Sequence, residues 1–249
     1  MINALILTTL AGLSTVLGSL IIFFIKKRND CFLSIAMGFA AGVMIFISLT
    51  ELLNESISNI GYLYAIISFF AGILLIYVID VFIPHSYEAE NACSLNLKDK
   101  HGLKRCGLIV ALGIAIHNFP EGITVFFSSM VNFKLGIIVA LGIALHNIPE
   151  GIAIAMPIYY ATNSKIKAFW YSFLSGLAEP LGAIIAFLFL RNFLTNTLLN
   201  VILAATAGIM VFISFDELLP YAYKQKNNHI TIAGIFLGMA MMALSLVFL

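Results

Sequence analysis

Long apolar stretches alternate with short polar interruptions along the whole chain. Each stretch ends at charged residues, a proline or a polar cluster, and most have the roughly 20 residues that a helix needs to cross a bilayer. The pattern predicts an all-α, polytopic membrane protein with about eight transmembrane helices. The predicted spans are 2–25, 32–53, 61–82, 104–130, 134–160, 167–190, 197–220 and 230–249.

The composition indicates that lipid is the solvent of this chain. Hydrophobic residues make up 61% of the 249 residues and charged residues only 10%, whereas a soluble domain carries about 25% charged residues. A formal net charge of +1 without a basic stripe gives no sign of a nucleic-acid partner. The GxxxxGK[ST] motif of P-loop ATPases is absent from the sequence, which argues against a nucleotide partner.

The basic residues predict how the helices are oriented. All of the 13 lysines and arginines except Lys134 and Arg191 lie in or beside alternate loops, and such residues are enriched on the cytoplasmic side. Both termini are therefore expected to be extracytoplasmic. The protein is expected to be a multi-pass protein of the cell inner (cytoplasmic) membrane, with the long polar stretch at about 84–104 as a cytoplasmic loop.

Two internal repeats predict the architecture. The stretch 41–53 recurs at 207–219, and 113–123 recurs at 142–152. In the predicted topology the two members of each pair cross the membrane in opposite directions, and inverted repeats around a central site are typical of transporters. We expect a single transporter domain in a 3+2+3 inverted-repeat arrangement. This domain covers the whole chain, 1–249. It consists of repeat halves at about 1–82 and 167–249 and a central helix pair at about 104–160.

A His-Asn-x-Pro-Glu-Gly motif occurs in both central spans. Residues of a helix advance by about 100° each, so the glutamate of each motif lies between the histidine and the asparagine. Each helix therefore offers two overlapping ligand sets, and two facing copies can hold two ions side by side. Glu179 in span 6 lies at a similar depth. The candidate metal ligands are His117, Asn118, Glu121, His146, Asn147, Glu150 and Glu179.

The types of donor group indicate the class of metal. Glutamates at mid-membrane are costly unless compensated, and ionisable residues there are functional candidates by default. Imidazole, amide and carboxylate donors without a thiolate favour Zn²⁺, Fe²⁺, Mn²⁺ or Co²⁺ over Cu⁺. Pro120 and Pro149 also free the carbonyls of Ile116 and Leu145 beside the ligands, because proline cannot donate to the carbonyl four residues back.

A His/Glu metal site is also compatible with two other functions. An intramembrane zinc metalloenzyme would use similar ligands, but the HExxH motif is absent and a duplicated site suits passage better than one-sided cleavage. A metal-sensing receptor is the weaker alternative, since the sequence carries no signalling domain. We expect a transporter and not an enzyme, without catalytic or cofactor-binding residues.

The two motifs, together with Ser175-Gly-Leu-Ala-Glu-Pro180 and Phe215-Asp-Glu-Leu-Leu-Pro220, resemble the ZIP family of divalent metal transporters, and its bacterial zinc-uptake branch in particular. The resemblance covers essentially the whole chain and implies an eight-helix fold with a binuclear centre. It implies uptake of zinc, with iron, cobalt, manganese and cadmium as further substrates. It assigns one ion to His117, Glu121, His146 and Glu150, and the neighbouring ion to Asn118, Glu121, Asn147, Glu150 and Glu179, the glutamates bridging.

Weaker signals leave alternatives open. Glu51 near the outward end of span 2, and Asp216 and Glu217 near the inward end of span 7, suit pathway vestibules and ordinary interfacial charges equally well. The GxxxG pairs of spans 2 and 8 allow close helix approach, within the monomer or in a homodimer. The 84–104 loop lacks the long His-rich tract of many family members, and we interpret its His85, Cys93 and His101 as solvated residues.

Lowering the pH from about 7 to about 5 is expected to weaken metal uptake, because imidazole binds metal only when neutral and titrates in this range. The measurement is the initial rate of zinc uptake into proteoliposomes at a series of external pH values, at constant free zinc concentration. Uptake that rises steadily down to pH 5 would contradict the prediction.

Overall fold

A computed structural model describes most of the chain, namely residues 2–21, 24, 30–82, 111, 115, 118–130, 132–190, 195–223 and 228–248. These residues are almost all helical, and none of them forms a β-strand. Seven helices within these ranges are long and apolar enough to cross a membrane. The described part of the fourth predicted span is helical too. The prediction of an all-α, polytopic membrane protein is confirmed.

We number the helices of the described ranges in chain order, and each number corresponds to one predicted span. Three helices consist of more than one segment. The helices are α1 (Ile2–Ile21), α2 (Asp30–Ile47, Ser48–Leu52 and Leu53–Ile60), α3 (Tyr62–Phe82), α4 (118–130), α5 (Phe133–Thr162), α6 (Lys165–Gly176 and Ala178–Leu190), α7 (Asn196–Ile213, Ser214–Leu218 and Leu219–Tyr223) and α8 (Asn228–Phe248).

Polar caps define the ends of the central helices. The Asn132 side chain accepts a hydrogen bond from the backbone N–H of Lys134 at 2.9 Å and so begins α5. At the other end of α5, Asn163 adopts the left-handed conformation with φ 51°, which asparagine tolerates. Ser164 follows directly and caps α6 by accepting from the N–H of Lys167. Such caps satisfy backbone groups that a helix end leaves free, so α5 and α6 are joined by a very short turn.

The predicted end of span 2 at residue 53 is wrong, because α2 continues to Ile60. The added turns are polar on one side, and Asn59 donates to the Glu55 carboxylate at 2.9 Å. On the other side, Ser56 donates to the carbonyl of Asn200 in α7 at 2.9 Å. A helix that leaves the apolar layer can continue as an amphipathic helix, so the first charges did not mark its end. It stops at Gly61, where φ is 81°.

Both α2 and α7 contain a five-residue π-helical turn, Ser48–Leu52 and Ser214–Leu218. The two turns occupy corresponding positions of the 41–53 and 207–219 repeat. Glu51 lies in the first turn, and Asp216 and Glu217 lie in the second. Because α2 extends to Ile60, Glu51 lies inside the helix and not near its end, which corrects the expectation from the sequence. Whether these carboxylates line a pathway stays a hypothesis.

Glycines bring the outer helices into backbone contact. A side chain at Gly38 or Gly42 of α2 would collide with the backbone of α8, and one at Gly234 or Gly238 of α8 would collide with the backbone of α2. The packing of α7 against α3 is equivalent, through Gly208 and Gly72. The GxxxG pairs therefore serve contacts inside the monomer. The division into repeat halves and a central pair, and a homodimer, stay predictions.

Small residues line the buried face of α1. The helix buries no side chain larger than threonine, and its contacts are chiefly with α5 and α6. Helices in a membrane have no hydrophobic driving force for association and associate through close packing, which small residues permit. The buried residues of α1 are Ala4, Thr8, Ala11, Gly12, Ser14, Thr15, Gly18 and Ser19.

Replacing Gly72 by leucine is expected to destabilise the protein by about 1–3 kcal/mol, because the added side chain collides with the backbone of Ala205 and overpacking costs this much. The matched control is Ala71→Leu, since Ala71 is the preceding residue and is exposed on the outer face of α3. The measurement is thermal unfolding in detergent. Equal melting temperatures for the two variants would contradict the prediction.

Candidate metal centre

Six of the seven candidate ligands lie where α4, α5 and α6 meet beside α1. His117 lies outside the described residues. The side chains of the other six predicted ligands, Asn118, Glu121, His146, Asn147, Glu150 and Glu179, have 0% exposure. A helix in lipid turns polar side chains inward, so complete burial at six positions on three helices is the first structural sign of a shared site.

One contact joins the two repeated motifs. The Nε2 atom of His146 in α5 lies 3.2 Å from Oε2 of Glu121 in α4, and both side chains are fully buried. The two residues occupy the His and Glu positions of different motif copies. The structure therefore brings the duplicated motifs face to face, with an imidazole and a carboxylate close enough to bind one cation.

A second contact joins α5 to α6 and α1. The Asn147 amide donates to Oε1 of Glu179 in α6 and also to the carbonyl oxygen of Ala11 in α1, the latter at 3.0 Å. One side chain thus holds the third carboxylate and fixes three helices relative to one another. The sequence predicted Asn147 as a ligand, but this second contribution required the structure.

Several oxygens of the cluster have no hydrogen-bond partner among the described residues. They are Oε1 of Glu121, Oε2 of Glu179 and Oδ1 of Asn147, and both amide atoms of Asn118 are in the same situation. A buried polar atom without a partner costs about 1–3 kcal/mol. Four such oxygens in one place form an environment that a cation would satisfy, since carboxylate and amide oxygens coordinate divalent metals.

The cluster also has a marked charge imbalance. Three glutamates are fully buried, whereas the buried residues of the described ranges include no lysine or arginine. A buried carboxylate without a compensating charge costs several kcal/mol. A divalent cation would supply positive charge that no buried lysine or arginine of the described ranges supplies.

Within the described ranges, no three histidine, cysteine, aspartate or glutamate side chains form a preassembled metal-binding group. The donors stand as two pairs, His146 with Glu121 and Asn147 with Glu179. A group of three such residues would not include the whole candidate site, because asparagine supplies two of its donors and His117 lies outside the described residues.

Proline shapes the third helix of the site. Pro180 has no N–H to donate to the carbonyl of Gly176, and α6 is interrupted at Leu177 between its two segments. Glu179 therefore lies in the first turn of the second segment, directly after this interruption. By contrast, α5 remains one helix from Phe133 to Thr162 through Pro149.

The glycines that end the two motifs were missed as functional residues. A side chain at Gly122 would collide with the carbonyl of Glu179, and one at Gly151 would collide with the carbonyl of Thr15. They let α4 pack directly on α6, and α5 on α1. Their positions directly after the two glutamates were a usable signal, since glycine permits close backbone approach.

Comparison with known proteins decides the family. The model of the ZIP zinc transporter family matches residues 83–246. Proteins named zinc transporter ZupT are similar over almost the whole chain. One from Chlorobium phaeovibrioides is 51% identical, covering 99% of this chain and 97% of its own length. The equivalent figures for one from Clostridium perfringens are 47%, 98% and 94%, and for one from Lysinibacillus sphaericus 51%, 98% and 96%.

This chain belongs to the ZIP zinc transporter family. The resemblance recognised from its motifs is thereby confirmed, including the bacterial branch. The family match contains α4 to α8 and with them every candidate ligand of the ZIP site, whereas α1 is covered by the full-length relatives. The ZIP relatives are named as transporters and not as enzymes, which weighs against the metalloenzyme alternative.

Replacing Asn147 by alanine is expected to weaken zinc binding about 10- to 100-fold, the usual effect of losing a group that orients metal ligands, because Glu179 loses its donor. The matched control is Asn200→Ala, since Asn200 is also fully buried and its amide donates within its own helix, to the Asn196 carbonyl. Zinc binding is measured by isothermal titration calorimetry in detergent. Equal affinity in the two variants would contradict the assignment.

Proposed function

We propose that this chain takes up divalent metal ions, chiefly zinc, across the cytoplasmic membrane through a binuclear site in the middle of the bundle. One ion is bound by His117, Glu121, His146 and Glu150, and the neighbouring ion by Asn118, Glu121, Asn147, Glu150 and Glu179. The two glutamates of the motifs bridge the ions. Iron, cobalt, manganese and cadmium are further substrates.

The observation that carries this proposal is the burial of three carboxylates without a buried lysine or arginine among the described residues. A soluble protein could leave such groups to water, but a lipid-facing bundle cannot. Oε1 of Glu121 and Oε2 of Glu179, which have no hydrogen-bond partner among the described residues, also support a bound cation. The bound metal ion is the transported substrate, so its place in the centre has to be empty for part of each cycle.

The donor types support zinc as the chief substrate. His146 supplies imidazole, which suits Zn²⁺ and other borderline metals, and the carboxylates and amides also accept harder ions such as Mn²⁺. A mixed site of this kind binds zinc without excluding iron, cobalt or manganese. The relatives are named zinc transporters, in agreement with this preference.

Depth and orientation support passage across the membrane. His146 and Glu150 lie near the middle of α5, which runs from Phe133 to Thr162, and Glu179 lies near the middle of the Lys165–Phe189 span. An ion bound there is far from both surfaces, as expected for a transport site between inverted repeats. The distribution of basic residues predicts that both termini lie outside the cytoplasm, and we propose uptake as the direction of transport.

Replacing Glu150 by alanine is expected to lower the rate of zinc uptake at least about 100-fold. The change removes a bridging ligand from both ions, and this costs more than losing a group that only orients a ligand. The measurement is uptake of radioactive zinc by proteoliposomes that contain only this protein, with iron, manganese and cobalt as competitors. The control is Glu55→Ala, which removes a carboxylate bonded to Asn59 in the polar extension of α2.

Wild-type rates in Glu150→Ala would remove the site assignment and leave transport in place. Absence of zinc flux in the wild-type proteoliposomes would remove the transport function itself. Peptidase activity in such a flux-free preparation would favour the metalloenzyme.

A further inference from the structure

Helices α1 and α6 cross with a reciprocal pair of contacts. A Cβ at Gly12 of α1 would lie 3.2 Å from the Cβ of Glu179 in α6 and 3.4 Å from its Cδ. A Cβ at Gly176 of α6 would lie 3.3 Å from the Cβ of Thr15 in α1. Glu179 and Thr15 each follow their own helix's glycine by three positions. Each therefore stands over the glycine of the partner helix.

The same reciprocity extends to the two motif helices. Gly122 of α4 packs against the carbonyl of Glu179, and Gly151 of α5 packs against the carbonyl of Thr15. One turn further along, Gly182 of α6 and Gly18 of α1 pack against the residues between Asn and Pro of the two motifs, Phe119 and Ile148 respectively. Thr15 thus has, towards α5, the backbone position that Glu179 has towards α4.

The hydroxyl of Thr15 differs from every other hydroxyl of α1. Thr15 has 0% exposure, and its Oγ1 has no hydrogen-bond partner among the described residues. The remaining serines and threonines of the helix donate to backbone carbonyls one turn back, at 2.6–2.9 Å: Thr8, Thr9, Ser14 and Ser19. A helical serine or threonine in an apolar setting commonly donates to a carbonyl of its own helix in this way. Thr15 does not, so its hydroxyl oxygen is free to bind another group.

The side chain of Asn118, a candidate ligand, also has no hydrogen-bond partner among the described residues. Asn147 bonds to Glu179 and to the carbonyl of Ala11, whereas its motif counterpart Asn118 has no partner for either amide atom within the described ranges. The reciprocal contacts make Asn118 the counterpart of Asn147 and Thr15 the counterpart of Glu179. The pair that corresponds to Asn147 and Glu179 is therefore Asn118 and Thr15. Two buried, uncharged, unpartnered side chains therefore occupy the positions that a carboxylate and an amide occupy on the other side.

We infer that Thr15 of α1 is a further residue of the metal site, with its hydroxyl oxygen serving as a neutral ligand opposite the Glu179 carboxylate. This inference rests on the proposed transport function. A neutral oxygen contributes most to harder ions, since oxygen donors suit Mn²⁺ whereas imidazole suits Zn²⁺. Thr15 therefore broadens selectivity towards manganese, and its loss shifts the protein towards zinc.

The test compares Thr15→Val, which keeps the shape and removes the hydroxyl, with Thr15→Ser, which keeps the hydroxyl. The matched control is Thr8→Val, since Thr8 is as buried as Thr15 and its hydroxyl bonds to the Ala4 carbonyl. Zn²⁺ and Mn²⁺ affinities are measured in detergent by calorimetry and by metal-induced shifts of the melting temperature. We expect Thr15→Val to weaken Mn²⁺ binding about 10-fold and Zn²⁺ binding several-fold less, with Thr15→Ser and Thr8→Val close to wild type.

An unchanged ratio of Mn²⁺ to Zn²⁺ affinity in Thr15→Val overturns the inference, whatever the absolute affinities. If that variant does not fold, Thr15→Ala carries the same comparison. Failure of the wild-type protein to bind either metal overturns the proposed function and this inference together. Normal binding in wild type and Thr8→Val with an unchanged ratio in Thr15→Val removes only the role of Thr15.

Discussion

Three glutamate carboxylates buried in a lipid-facing bundle are the constraint on which the rest of the structure depends. Such groups cannot rely on water for stabilisation, and the described residues offer no buried lysine or arginine. What they do offer is polar but incomplete: the imidazole of His146 beside Glu121, and the amide of Asn147 beside Glu179. Each of these stabilises only part of the negative charge, and the proposed metal ion would complete the balance.

Close backbone packing makes that arrangement geometrically possible. Donors on separate helices reach one another only if the helices approach closely, and glycines at the crossings of α1, α4, α5 and α6 remove the side chains that would keep them apart. The motif glycines Gly122 and Gly151 show the connection directly, because each follows a candidate glutamate ligand and lies against a carbonyl of the neighbouring helix. In each motif, the glycine that allows the close helix contact is therefore the next residue in the chain after the glutamate.

The sequence predicted the parts whose physical signal is local. The polytopic all-α fold followed from apolar run length, and the candidate ligands followed from polar groups that only a function justifies at mid-membrane. The extension of α2 to Ile60 was missed because an amphipathic helix beyond the apolar layer resembles a loop in composition. The bond from Asn147 to Glu179 and the availability of Thr15 depend on which helices touch, and no spacing along one helix reveals that.

Backbone and side chains follow different rules in this bundle. The contact of α1 with α5 and the contact of α6 with α4 both use glycines and carbonyl oxygens. The side chains over those contacts differ, with a carboxylate at Glu179 and a hydroxyl at Thr15. Because packing is carried by the backbone, one side can change its chemistry without disturbing helix spacing. Reciprocal backbone contacts can therefore hold a site whose two sides differ in charge.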